Sequence, residues 1–127
     1  GYNYRMPNIN AALGCAQLEN LDRYVADKRE TAARYADFFK DKEDIIFFTE
    51  PVDCKSNYWL NAVILKDKVT QLEFLEYTND HGVMTRPVWE LMNYLPMFEH
   101  CETDGLTNTK WLAGRIVNIP SSVRLEK

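Results

Sequence analysis

Apolar or small residues recur at Ile9, Leu13, Ala16, Leu21, Val25, Ala32, Tyr35 and Phe39, close to the spacing that keeps one face of a helix turned inward. Glu19, Asp22, Arg23, Asp27, Lys28, Arg29, Glu30, Arg34 and Asp37 fall between them and give the opposite face to water. Asn8 fits a helix cap, because its side-chain oxygen can accept from a free backbone N–H one turn on. No strong breaker appears before the Lys40-Asp41-Lys42-Glu43-Asp44 run. The pattern therefore predicts one helix of about thirty residues, roughly three times the usual length. A chain this small cannot cover such a helix, so part of its face is expected to meet something outside.

The pattern then shortens. Ile45-Ile46-Phe47-Phe48 reads as a short buried strand closed by Pro51, and Asp53 to Asn57 as loop. Tyr58-Trp59-Leu60-Asn61-Ala62-Val63-Ile64-Leu65 is apolar on both faces, which predicts a central strand. Thr70-Gln71-Leu72-Glu73 has the form of a capping box. It opens a helix carrying Leu72, Leu75 and Tyr77 that ends near His81-Gly82, where glycine can turn left-handed. Val83-Met84-Thr85-Arg86 reads as a third strand stopped by Pro87. Strand, helix, strand favours a crossover unit, and a small mixed sheet is equally compatible. Trp89 to Leu95 predicts a helical turn or two, rich enough in large apolar groups to need a cover. Leu106 to Arg115 reads as a short helix with Trp111 and Leu112 inward, and Ile116-Val117-Asn118-Ile119 as a last strand ended by Pro120.

Composition narrows the class. With 127 residues, 46% hydrophobic and 13% aromatic, one domain with its own core is expected, burying roughly two-thirds of the unfolded surface. A net charge of −4 without a basic stripe argues against nucleic acid. No apolar run reaches the roughly eighteen residues a bilayer span needs, and no charged-then-apolar leader opens the chain. A soluble, cytoplasmic protein without a membrane partner is expected. Cys15, Cys54 and Cys101 are odd in number and widely spaced, unlike a secreted disulfide framework.

Few residues carry chemistry on their own. The polar, aromatic opening segment, with Asn3 and Arg5, leads through Pro7 into the helix, a layout suited to anion contact. Asn3 reads equally as a turn residue, and Arg5 either as a two-point grip on phosphate or as a surface partner of a carboxylate. Arg86 and Trp89 flank Pro87, which fixes the chain so that both can edge one cleft; the plainer reading of Trp89 is core. His81 suits a helix end. His100-Cys101 lacks the paired spacing of a zinc site, so no metal is expected. Asp104 before Gly105 reads as a turn, and Ser121-Ser122 has no base set beside it by any motif. A stand-alone interaction module that dimerises through its long helix is compatible with all of this. So, with less support, is a small lectin-like sugar binder.

Two runs are more specific. Gly1-Tyr2-Asn3-Tyr4-Arg5-Met6-Pro7-Asn8-Ile9-Asn10-Ala11-Ala12-Leu13-Gly14, followed by Gln17-Leu18 and Leu21-Asp22, resembles the opening of the C-terminal region of the DegT/DnrJ/EryC1/StrS sugar aminotransferases. Gly82 to Phe98, with Val117-Asn118-Ile119-Pro120-Ser121-Ser122, resembles the LegC-type branch, which makes amino sugars on the way to the nonulosonic acids of bacterial surfaces. The resemblance spans nearly the whole chain. It implies the small domain of a fold-type I aminotransferase: an α+β sandwich with a long N-terminal helix packed on a mostly antiparallel sheet of three or four strands. It also implies a pyridoxal-phosphate enzyme that aminates a nucleotide-linked keto-sugar, with an amino donor such as glutamate. In the family the cofactor is held by a Lys, an Asp and an aromatic ring of the large domain, which the resemblance puts outside these residues. The chain is thus expected to be a fragment, inactive and without cofactor alone. By the same resemblance Asn3 reaches the cofactor phosphate of the neighbouring subunit in a homodimer with a shared site, and Arg5, from its planar fork, is expected beside it as a second cofactor-binding residue. Arg86 and Trp89 lie by the sugar-nucleotide pocket.

Overall fold

The computed structural model describes residue 2 and residues 4–124. It is an α+β fold: helices α1 (Asn8–Leu18) and α2 (Leu21–Phe39), strands β1 (Ile45–Phe47) and β2 (Asn61–Leu65), helix α3 (Lys68–Asp80), strand β3 (Arg86–Pro87), a 3₁₀ turn at Met92–Tyr94, helix α4 (Thr107–Ala113) and strand β4 (Ile116–Ile119).

The expected single long helix is two helices. Asn20 breaks it, because its Nδ2 donates back to Ala16 O at 3.0 Å while its own carbonyl accepts from Tyr24 N to start the next helix. Asparagine side chains compete with helix backbone in this way. Asn8 is not the cap either; Pro7 holds that place in extended conformation and no side chain caps the end. Of these two helices only α2 packs on the sheet, through buried Ala32 and half-buried Tyr35, Ala36 and Phe39. Helix α1 buries nothing, and Ile9, Leu13 and Leu18 are 81%, 61% and 67% exposed.

The four strands run in the order β1-β2-β4-β3, every neighbouring pair antiparallel. Strands β2 and β3 are therefore parallel to one another with β4 between them, so the β2–α3–β3 crossover is present and the mixed alternative is not. Alternation sends Asn61, Val63 and Leu65 of β2, and Val117 and Ile119 of β4, into one buried face. Val63 lies opposite Val117, both fully buried. Each such side chain contributes about 1.5–3 kcal/mol. Phe47, Phe74 and Leu75 complete this layer.

Several boundaries differ from the sequence pattern. Strand β2 begins at Asn61 rather than Tyr58, because Tyr58 takes φ 45°. The capping box at Thr70 is not used: Asp67 caps α3, and its Oδ1 accepts from both Thr70 N and Thr70 Oγ1 at 2.9 Å. Helix α3 ends at His81 and Gly82, whose φ of 76° is the left-handed stop the sequence signals. Strand β3 shrinks to Arg86–Pro87 and contains the proline instead of stopping before it. Trp111 is half exposed rather than inward, with the Arg115 guanidinium 4.4 Å from its ring centroid.

Candidate functional site

The helix α3 to β3 connection is locked by polar groups. Thr85 is buried. Its hydroxyl lies 2.6 Å from Thr78 Oγ1, and Asn79 Nδ2 donates to Thr85 O at 3.1 Å and Oγ1 at 3.0 Å. The next residue, Arg86, pairs with Asn118 of β4, whose Nδ2 reaches Pro87 O at 3.5 Å. The guanidinium of Arg86 is thus carried out from a fixed point at the sheet edge.

Arg86 and Trp89 do come together. They line one open cavity of about 560 Å³ with Lys28, Trp59, Leu60, Met84, Pro87, Asn118, Ile119, Pro120, Ser121 and Ser122. That volume is in the range of small-molecule sites. The Trp59 and Trp89 ring centroids are 6.5 Å apart.

Helix α2 holds both walls. Lys28 Nζ donates to Ser121 O and, at 3.4 Å, to Trp59 O. Tyr35 OH donates to Pro120 O at 3.0 Å. Farther along, Arg124 closes on Asp27 and Glu30 with contacts of 2.7–3.0 Å, and that pairing lowers both carboxyl pKa values. On the other wall Arg29 grips Glu50 and the carbonyl of Ser56, while Glu50 accepts from Ser56 N. The Arg29 guanidinium and the Ser56 N–H hold the Glu50 carboxyl at about 2.

The remaining sequence candidates fall as follows. Arg5 is exposed, ahead of α1. Asn3 lies outside the described residues. His81 sets Nδ1 2.7 Å from Tyr77 O and stacks on Tyr77, a helix-end contact. Asp104 accepts from Leu106 N at 2.9 Å, as a turn residue does. Ser121 Oγ donates to Ile119 O and accepts from Asn61 N, so its hydroxyl serves the wall. Among the described residues no group of three or more His, Cys, Asp or Glu could hold a metal, and no helix is long and apolar enough to cross a membrane.

Sequence reasoning missed Trp59, read only as part of a strand, and the α2 side chains that fix it. The signal was the adjacent Lys28-Arg29 on the wet side of α2, whose partners lie 21 to 93 positions away.

The donor set does not by itself fit pyridoxal phosphate. Among the described residues that line the cavity, the one amine, Lys28 Nζ, is committed to two backbone carbonyls. Among the described residues Arg86 is its one guanidinium, and none of the lining residues begins a helix.

The model of the DegT/DnrJ/EryC1/StrS aminotransferase family matches residues 1–127. The chain is 32% identical over 122 residues to the GDP-perosamine synthase of Escherichia coli O157:H7, covering 95% of this chain and 32% of that protein. It is 30% identical over 128 residues to the GDP-perosamine synthase of Vibrio cholerae, covering 94% and 33%. The chain thus spans about a third of the length of either relative. Among solved structures, Helicobacter pylori PseC, an aminotransferase involved in the biosynthesis of pseudoaminic acid, superposes with a TM-score of 0.87 at 19% identity, over 99% of this chain and 35% of that one. At that identity the likeness is one of fold.

Proposed function

The chain belongs to the DegT/DnrJ/EryC1/StrS aminotransferase family, and from that premise we propose that it is the small domain of a pyridoxal-phosphate-dependent transaminase that aminates a keto-sugar carried on a nucleotide. The observation that carries this reading is the meeting of Arg86 and Trp89 in one cavity with walls held by α2. Arg86 offers a planar fork to a diphosphate, and Trp89 offers an apolar face to a ring. In such an enzyme pyridoxal phosphate would supply the amino-group exchange between a donor such as glutamate and the sugar, and residues outside this chain would hold it. This chain's part is positional: it closes the pocket from one side and fixes the substrate's anionic end.

In this reading the working unit is a homodimer. Its opening segment crosses to the neighbouring subunit, where Asn3 donates to the cofactor phosphate, as the family resemblance implies, and Arg5 offers its guanidinium fork to the same anion. The exposed Ile9, Leu13 and Leu18 of α1 then have a cover in the rest of the assembly. The product serves bacterial surface polysaccharide or nonulosonic acid synthesis, the latter in keeping with the LegC-type run.

The test is transamination by the intact polypeptide that carries this chain. Supplied with pyridoxal phosphate, glutamate and GDP-, UDP- or dTDP-linked 4-keto-6-deoxy sugars, it should form an amino sugar and 2-oxoglutarate, whereas residues 1–127 alone should not. Turnover by the isolated chain, or none by the intact polypeptide on any of these sugars, contradicts the proposal. The exposed α1 face also favours a second reading, a non-catalytic interaction module; self-association without turnover is its signature.

A further inference from the structure

A second cavity, of about 280 Å³, shares Pro87 and Trp89 with the one that holds Arg86. Its charged and hydroxyl-bearing lining is Lys68, Lys110, Glu90 and Tyr94. These come from separate parts of the chain: the first residue of α3, the last turn of α4, the loop after β3, and the 3₁₀ turn that follows it.

The fold fixes the two lysines. Asp67 caps α3 and so sets Lys68 at its start. Lys68 Nζ then donates to Oε1 of the fully buried Gln71 at 2.8 Å, and Gln71 is itself anchored on Ala113 O and Ile116 O. Gly114 lets the Lys68 stem lie against the end of α4 beside Lys110: a Cβ there would stand 4.0 Å from Lys68 Cδ and 3.8 Å from Lys110 O. Lys68 has one N–H committed to Gln71 and two left over. Among the described residues Lys110 Nζ, the Glu90 carboxylate and the Tyr94 hydroxyl have no hydrogen-bond partner, and none of Lys68, Lys110 and Glu90 belongs to an ion pair. The plain role of Lys110 is a cation beside the last carbonyls of α4. That role does not account for Lys68, Glu90 and Tyr94 lining the same cavity.

Two cations and one carboxylate in so small a space select by charge. Phosphate is repelled by Glu90, and a simple amine by the lysines. A ligand with two carboxylates and one ammonium group finds an opposite charge for each. The volume lies just below the roughly 300–1,000 Å³ of sites for drug-sized ligands, which suits a small amino acid.

We propose that this cavity binds a free α-amino dicarboxylate of the glutamate class, with Lys68 and Lys110 on its carboxylates, Glu90 on its ammonium group and Tyr94 as a further donor. The inference rests on the transaminase reading above only in naming glutamate, the amino donor of that reading. It adds a holding site for the donor, set across Trp89 from the sugar pocket.

Calorimetric titration of the intact polypeptide tests the site, with the cofactor fixed by borohydride reduction so that no amino group is exchanged. Turnover is not needed, so the outcome is separate from that of the transamination assay. L-Glutamate should bind, and glutarate, which keeps both carboxylates and lacks the ammonium group, should bind about 10-fold more weakly. Lys110→Ala should weaken both by about 10-fold. Glu90→Gln should bring glutamate down to the level of glutarate and leave glutarate no weaker than before. Both residues are exposed, so the fold should tolerate either change. Lys66→Ala, which removes an exposed cation outside the cavity, should alter neither ligand. The site is overturned if the parent binds no glutamate, if glutarate or inorganic phosphate matches glutamate in the parent, if either Lys110→Ala or Glu90→Gln binds glutamate as the parent does, or if Lys66→Ala loses as much as Lys110→Ala.

Discussion

Arg29 holds Glu50 at two points, Nη1 to Oε2 at 3.0 Å and Nη2 to Oε1 at 2.7 Å, and so ties helix α2 to the loop that carries Trp59. The guanidinium and the Ser56 N–H depress the Glu50 carboxyl from its ordinary 4.5 to about 2 in the folded chain. A carboxyl lowered by folding contributes stability that is whole above its unfolded pKa and disappears as pH falls through its folded pKa. The Glu50 contribution is therefore full above about 4.5 and gone below about 2. Glu50→Gln should be less stable than the parent at pH 7 and should lose less stability on acidification across that window. Denaturant unfolding at several pH values checks this. Part of the acid slope should survive in the variant, because Arg124 lowers Asp27 and Glu30 as well.

Gln71 is fully buried in α3, and its Nε2 satisfies two carbonyls of the α4–β4 turn, Ala113 O at 3.1 Å and Ile116 O at 2.7 Å. Gln71→Leu strands both, and each lost partner in the interior costs about 1–2 kcal/mol. A total loss of about 2–4 kcal/mol is expected, measured as a shift in denaturant midpoint at constant slope.

Asn61 is the opposite case. It is 1% exposed, and among the described residues both its Nδ2 and its Oδ1 lack a partner. An unsatisfied buried amide costs about 1–3 kcal/mol, so Asn61→Leu, of similar size, should raise the unfolding midpoint. A fall in midpoint would mean that a bound water already serves the amide.

Thr85 links fold to site. Replacing it by Val keeps the shape and removes the oxygen that meets Thr78 and Asn79. About 1–2 kcal/mol of stability should be lost. In the intact polypeptide the KM for nucleotide-sugar should rise several-fold as Arg86 loses its fixed origin, while the KM for the amino donor should stay unchanged. Equal movement of both KM values would show that Thr85 serves only general stability.

Much of the fold was legible because single-residue chemistry and period agreed. Ile116–Ile119 and Ile45–Phe47 are short apolar runs bounded by prolines or charged turns, and Gly82 marks the helix end it occupies. The split of the first helix was not legible, because it depends on one Asn20 side chain choosing the Ala16 carbonyl over solvent. The start of α3 was misplaced by one turn because Asp67 and Thr70 are both acceptable caps, and only three-dimensional placement decides between them. The pairing of Arg86 with Trp89 followed from Pro87 between them. Trp59 did not, because its position rests on contacts from Lys28, Arg29 and Glu50 that no local spacing reveals.

The most direct measurement is a crystal structure of the intact polypeptide with its cofactor and a nucleotide-sugar analogue, read as the distance from the Arg86 guanidinium to the nearest diphosphate oxygen. A small domain that closes the substrate pocket requires a hydrogen-bonded contact of about 2.7–2.9 Å, with the sugar-nucleotide seated in the cavity beside Trp89. A diphosphate more than about 10 Å away, a Debye length, with another part of the protein filling that cavity, contradicts it.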